Sequence, residues 1–182
     1  MGDELMTLYH YVGADKPLPL GNYGETYTLK KMRDIPKPKN KNDLRNILDL
    51  SDLEDEWVKV YETEVDFAFV TVSELDDPTL KEKLPINKRY IYELGGSFQL
   101  TGEDYFQNRI QYQCNEKCFK ELFAYLKEQL VVGETIEVYS CWDSEENQPR
   151  DSTLDTQIDV SKYKIAYPLS FEDKQLITLF KT

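Results

Sequence analysis

The chain offers few residues from which chemistry could start. It has one histidine, His10, and three cysteines, Cys114, Cys118 and Cys141. A Ser–His–Asp triad, a Cys–His pair or a histidine-rich metal site would each have to use His10. That residue lies between Tyr9 and Tyr11 in the run LMTLYHYV, residues 5–12, where both alternating faces are largely apolar. Such a run predicts a central strand buried on both sides. An isolated histidine there is ordinarily a hydrogen-bonded core residue. The functional reading is a ligand contact, with His10, Tyr9, Tyr11 and Trp142 as the candidate ligand-binding set. No residue is assigned as catalytic and none as a metal ligand.

Leu8-Tyr9-His10-Tyr11 resembles the first strand of the ADP-ribosyltransferase fold. The resemblance implies that His10 would help hold NAD and that a later glutamate would orient the ribose. It covers four residues and departs at Val12-Gly13, where those enzymes carry Thr or Ser. It identifies no glutamate, and no cofactor is assigned on it.

The other reactive groups have plainer readings. Cys114 and Cys118 stand four apart at the start of an expected helix, where a helix N-terminus would lower a thiol pKa. Glu121 occupies the place of the third cysteine that an iron–sulfur pattern of the radical-SAM type needs, and buried free thiols are the simpler expectation. Asp143, Glu145 and Glu146 follow a strand but lack the alternating acids and glycine of a calcium loop, so a solvated loop is expected. Gly21-Asn22-Tyr23-Gly24 lacks the Gly-Lys-Ser/Thr end of a phosphate loop and reads as a turn.

The element best placed to organise these residues is a helix over about 115–131. Phe119, Leu122, Phe123, Leu126 and Leu130 recur at helical spacing as one apolar stripe. Asn115 is the expected N-cap and Gly133 the expected stop. A strand ending on Trp142 follows, with Ile136, Val138 and Trp142 on one face. Further strands are expected at 25–32, 57–72, 163–169 and 175–181, the last also readable as a helix capped by Ser170 but tipped to strand by its β-branched residues, and two short helices after Asn42 and at Pro78. Gly95-Gly96 suggests a hairpin turn within 88–101. Residues 105–114 read as a strand with Phe106, Ile110, Tyr112 and Cys114 on one side. Residues 143–159, with six acids against Arg150, read as a long solvated excursion. The expected fold class is α+β: a mostly antiparallel sheet of about seven to nine strands, with the long amphipathic helix on one face, in a single domain over 1–182.

Composition bounds the partners. Formal net charge is −12, and 13 tyrosines stand against two tryptophans. A surface of that sign disfavours nucleic acid and anionic membrane. Residues 30–45 are the one basic island, with seven cations against Asp34 and Asp43; the eight acids of 49–66 then stand against Lys59. No apolar run reaches the ~18 residues of a membrane span, and MGDELMTLYHYVG lacks a signal-peptide pattern. Met6 stands where a myristoylation signal wants Ser or Thr. These features lead to the expectation of a small, soluble, cytoplasmic bacterial protein. It would bind a protein partner, basic in the simplest case, through an acidic, tyrosine-rich surface in the manner of an inhibitor or immunity protein. The alternative is an enzyme or small-ligand binder with a cleft around His10.

Overall fold

β1 (Leu8–Ala14) is the strand on which the principal sheet is built, because it is paired along both edges. The structure, a computed structural model, describes residues 7–40, 42 and 44–182. The Met1-Gly2 terminus, the first two residues of the strand expected at 5–12, and Asp43 of the short helix expected after Asn42 lie outside the described residues. After β1 come β2 (Gly21–Tyr23), β3 (Thr28–Lys31), α1 (Leu44–Ile47), β4 (Trp57–Val60), α2 (Glu64–Phe67), β5 (Val70–Ser73), β6 (Tyr90–Gly95) and β7 (Gln99–Leu100). Then follow α3 (Gly102–Gln107), α4 (Arg109–Gln129), β8 (Thr135–Trp142), β9 (Thr156–Asp159), β10 (Leu169–Ser170) and β11 (Leu176–Phe180). Three 3₁₀ segments, at Met32–Asp34, Ser51–Leu53 and Pro78–Glu82, join them. The chain divides into two compact units, residues 26–67 and the remainder.

In the larger unit seven strands run in the order β2-β5-β6-β1-β8-β11-β9. Every pairing is antiparallel except β9 with β11. This is the α+β architecture expected, with α4 lying on one face. The apolar stripe of α4 is buried throughout: Phe119, Leu122, Phe123, Leu126 and Leu130 are between 0% and 5% exposed. It meets Val12, Val70, Val72, Leu94, Val138 and Ile177 from the facing side of the sheet. Burying each such side chain is worth about 1.5–3 kcal/mol, which is what holds a helix of this length to the sheet. The opposite face has a smaller cluster, in which Tyr11, Ile91, Tyr139, Cys141 and Leu176 meet Leu84 and Ile86.

The helical region begins earlier than the stripe suggests. Residues 105–114, expected as a strand, belong to α3 and α4. Thr101 caps α3 by accepting from the Asp104 amide at 3.0 Å, and Asn108 caps α4 by accepting from the Gln111 amide at 3.3 Å. Asn115, the expected N-cap, is therefore mid-helix and buried. It takes a 2.7 Å hydrogen bond from Gln111 Nε2 and donates to the Gln99 carbonyl. Gly133 does not end the helix either: the chain turns extended at Leu130, and Gly133, at φ +91°, serves the turn that the Glu134 amide closes onto the Val131 carbonyl.

Other boundaries shift for similar local reasons. Gly95-Gly96 is not a hairpin turn, since β6 pairs with β1 and β5 while β7 pairs with β10. A Cβ on Gly96 would lie 2.7 Å from the Phe98 ring. Gly21–Tyr23 is a short edge strand against β5 rather than a turn. The 57–72 run is interrupted by α2, which Thr63 opens by accepting from the Asp66 amide at 3.2 Å. The polar stretch 143–159 ends as edge strand β9, and of residues 163–169 only Leu169 lies in a strand.

Candidate functional site

β1 has two sides, and the register with β8 assigns each residue to one of them. Leu8, His10 and Val12 face α4 together with Trp142, Ser140 and Val138; Tyr9 and Tyr11 face the other way with Cys141 and Tyr139. The four residues proposed from the sequence as a ligand set are thus split across the sheet. His10 and Trp142 lie on the helix side, Tyr9 and Tyr11 on the other.

His10 is 7% exposed. Its Nδ1 shares a 2.7 Å hydrogen bond with Ser140 Oγ, directly across the strand pair. Phe98 and Phe171 present ring faces or edges to it at centroid distances of 5.2 and 5.7 Å. Those two phenylalanines stack at 5.0 Å and belong to the β7–β10 bracket, tied by the Phe171 amide to the Phe98 carbonyl. Burial lowers the imidazole pKa to about 4, so the ring is neutral at ordinary pH. A neutral, enclosed imidazole with a serine partner and apolar walls makes a structural contact.

On the other face the Tyr11 hydroxyl donates to Glu146 Oε1 at 3.4 Å, and the buried Tyr139 hydroxyl has no hydrogen-bond partner among the described residues. Burial raises both phenols, with Cys141 and the nearby acids adding to it. Burial also pushes the Cys141 thiol up to about 12, and Glu146, Asp173 and Glu145 act in the same direction. A thiol held that high stays protonated at neutral pH and is a poor nucleophile. Glu145 pairs with Lys174 at 2.8 Å. Cys118 sits within α4, away from its N-terminus; burial raises its thiol, which donates to the Phe69 carbonyl at 3.6 Å. Among the described residues no three His, Cys, Asp or Glu converge as a metal site would need.

A different feature stands out at the α3–α4 junction. Tyr105, Phe106 and Tyr167 are 36%, 76% and 40% exposed and in mutual ring contact, and Ile110, 49% exposed, follows in the first turn of α4. Tyr105 stacks obliquely on Tyr167 at 4.9 Å and meets Phe106 at 5.1 Å and Tyr112 at 5.1 Å. The Arg109 guanidinium lies 4.7 Å above the Tyr105 ring and 5.3 Å from that of Tyr112. Tyr112 is buried and anchors the group. Glu103 and Asp104 of α3 border it, and Asp104 is held by Thr101 Oγ1 at 2.9 Å. Aromatics and arginine in mutual contact are the side chains that most often dominate protein–protein binding. Strand spacing hid this group; the helical interval Tyr105, Arg109, Tyr112 was the signal that could have found it.

Among the described residues no helix is long and apolar enough to cross a membrane. Comparison of the chain with protein-family models, with curated proteins and with solved structures finds no match.

Proposed function

We propose that this chain is a non-enzymatic cytoplasmic protein-binding domain whose contact surface is the aromatic patch around Tyr105, Phe106, Ile110 and Tyr167. The observation that carries the reading is Phe106 at 76% exposure, set against Tyr105 and its Arg109 and Tyr167 neighbours. An exposed phenylalanine set edge-on against the Tyr105 and Tyr167 rings adds little to the core, whereas a partner could bury it. The bordering acids and the overall charge of −12 favour a basic partner. A role like that of an inhibitor or immunity protein, which covers a basic site on its target, fits both features. The high thiol of Cys141 and the enclosed His10 weigh against the enzyme reading.

The test is affinity capture from the native host with the intact protein and with a Phe106→Ala/Tyr167→Ala double variant. A partner retained by the intact protein at low salt, released at high salt and lost with the double variant is the expected result. Identical captured sets for both proteins would rule this surface out.

A further inference from the structure

β6 is longer than the strand that covers it. Against β1 it pairs from Tyr90 to Glu93, but against β5 only from Glu93 to Gly95. Tyr90, Ile91 and Tyr92 therefore have a strand on one side and, among the described residues, none on the other. The reason is local to the chain after Ser73. The Asp76 amide donates to the Glu93 carboxylate at 3.1 Å, and Asp77 caps the 3₁₀ segment Pro78–Glu82 by accepting from the Thr79 amide at 2.9 Å. Pro78 has no amide to offer a sheet. A cleft of about 440 Å³ lies where β5 would have continued. Its lining includes Tyr90, Ile91 and Tyr92, although Tyr90 and Tyr92 pack on the α4 side of the sheet and Ile91 on the other. Successive side chains on a strand point apart, so three in a row line one cleft only where the strand meets it edge-on. Pro17, Leu75 and Pro78 supply apolar walls, and the Tyr92 hydroxyl, accepting from the Leu18 amide at 3.2 Å, fixes the wall beside Pro17. At the far end Lys81 Nζ donates to the Arg89 carbonyl at 2.5 Å.

We propose that this gap is a docking site for a short extended segment of a partner polypeptide, which adds to β6 as a strand in the place that β5 leaves open. The occupant is recognised through its backbone. On a strand edge every second residue turns its N–H and C=O outward. Among the described residues no hydrogen bond outside the β1 pairing reaches the backbone of Tyr90, Ile91 or Tyr92. An added strand satisfies groups of that kind, which is how exposed sheet edges bind peptides. The gap spans about three residues, roughly 10 Å of extended chain, with β5 at one end and Lys81 at the other. That bounded length suits one short segment rather than a second sheet. The apolar walls favour small aliphatic side chains on it. Charge does not select the occupant, because Glu74 lines the cleft together with Lys81 and Arg89. The site shares no residue with the α3–α4 patch, and either can fail without the other.

The probe is the synthetic peptide Thr-Val-Thr-Val-Thr, acetylated and amidated at its ends so that it carries no charge. Titrated into the isotope-labelled full-length protein, it should shift the backbone amide resonances of Tyr90, Ile91 and Tyr92 saturably, and slow hydrogen exchange at the amide that faces the gap. The same peptide N-methylated at its three central residues keeps its side chains and loses its donors. It should bind at least about tenfold more weakly, the loss expected when hydrogen bonds are removed and their buried partners are left unpaired. The proposal is overturned if those three amides do not shift, if the N-methylated peptide binds equally, or if the shifts map to another edge strand such as β9. It is also overturned if N-acetylvaline amide alone saturates the same resonances, which would make the cleft a small-molecule site.

Discussion

The imidazole of His10 is neutral inside the protein because burial has lowered its pKa to about 4 from an ordinary 6.5. The unfolded chain takes up a proton on His10 as pH falls below 6.5, while the folded chain does not until about 4. The stability tied to neutral His10 is therefore complete above 6.5 and is lost progressively as pH falls toward 4. At about 1.36 kcal/mol per pH unit the loss amounts to about 3 kcal/mol. Urea unfolding across that window should show a steeper fall for the natural protein than for His10→Gln, which retains a polar partner for Ser140; coincident slopes would remove His10 as the cause. Tyr139 gives a second prediction. Its buried hydroxyl has no partner among the described residues, so Tyr139→Phe should be neutral or stabilising by up to about 1 kcal/mol in the same assay. The sequence favoured a core role for His10 because one histidine between tyrosines on an apolar strand has few alternatives. It could not supply Ser140, 130 positions away, because a hydrogen bond of that separation follows from strand register and from nothing local.

At the scale of elements, α4 carries the buried stripe while α3 carries an exposed phenylalanine. Leu122 is fully buried against the sheet, and Leu122→Ala should cost about 2–5 kcal/mol in denaturant unfolding. Phe106, a few turns away and largely exposed, should cost within about 0.5 kcal/mol when cut to Ala, while abolishing partner capture. If Phe106→Ala unfolds the protein instead, the patch is part of the core and the interaction reading loses its support. The helix was legible over its apolar stripe, since five large side chains at a 3.6 period admit no other regular structure. Its first turns were not. Phe106, Ile110 and Cys114 recur every four residues, an interval that satisfies both a strand and a helix, and the intervening Gln and Asn residues favour neither. The helical form is accompanied by side-chain caps at Thr101 and Asn108 and by the Asn115 side chain donating to β7, a contact that exists only in three dimensions.

Across the whole molecule the two units differ in how much they bury. Backbone amides of β1 and β8 lie in a sheet covered on both faces, whereas β3 and β4 pair only with each other. Native-state hydrogen exchange should therefore give β3–β4 amides a much smaller opening free energy than those of β1, in line with local burial. Equal protection in both would mean that the 26–67 unit is stabilised by more than its own contacts. Charge, the class of fold and the long amphipathic helix were determined by the sequence alone, because composition and hydrophobic period act within a short window of chain. Tertiary structure alone decided which side of a strand each candidate residue occupies. His10 and Tyr11 are adjacent in sequence but face opposite sides of the sheet, since successive side chains on a strand point apart. Tyr105 and Tyr167 are distant in sequence but stacked, since packing of the α3–α4 junction brings them together.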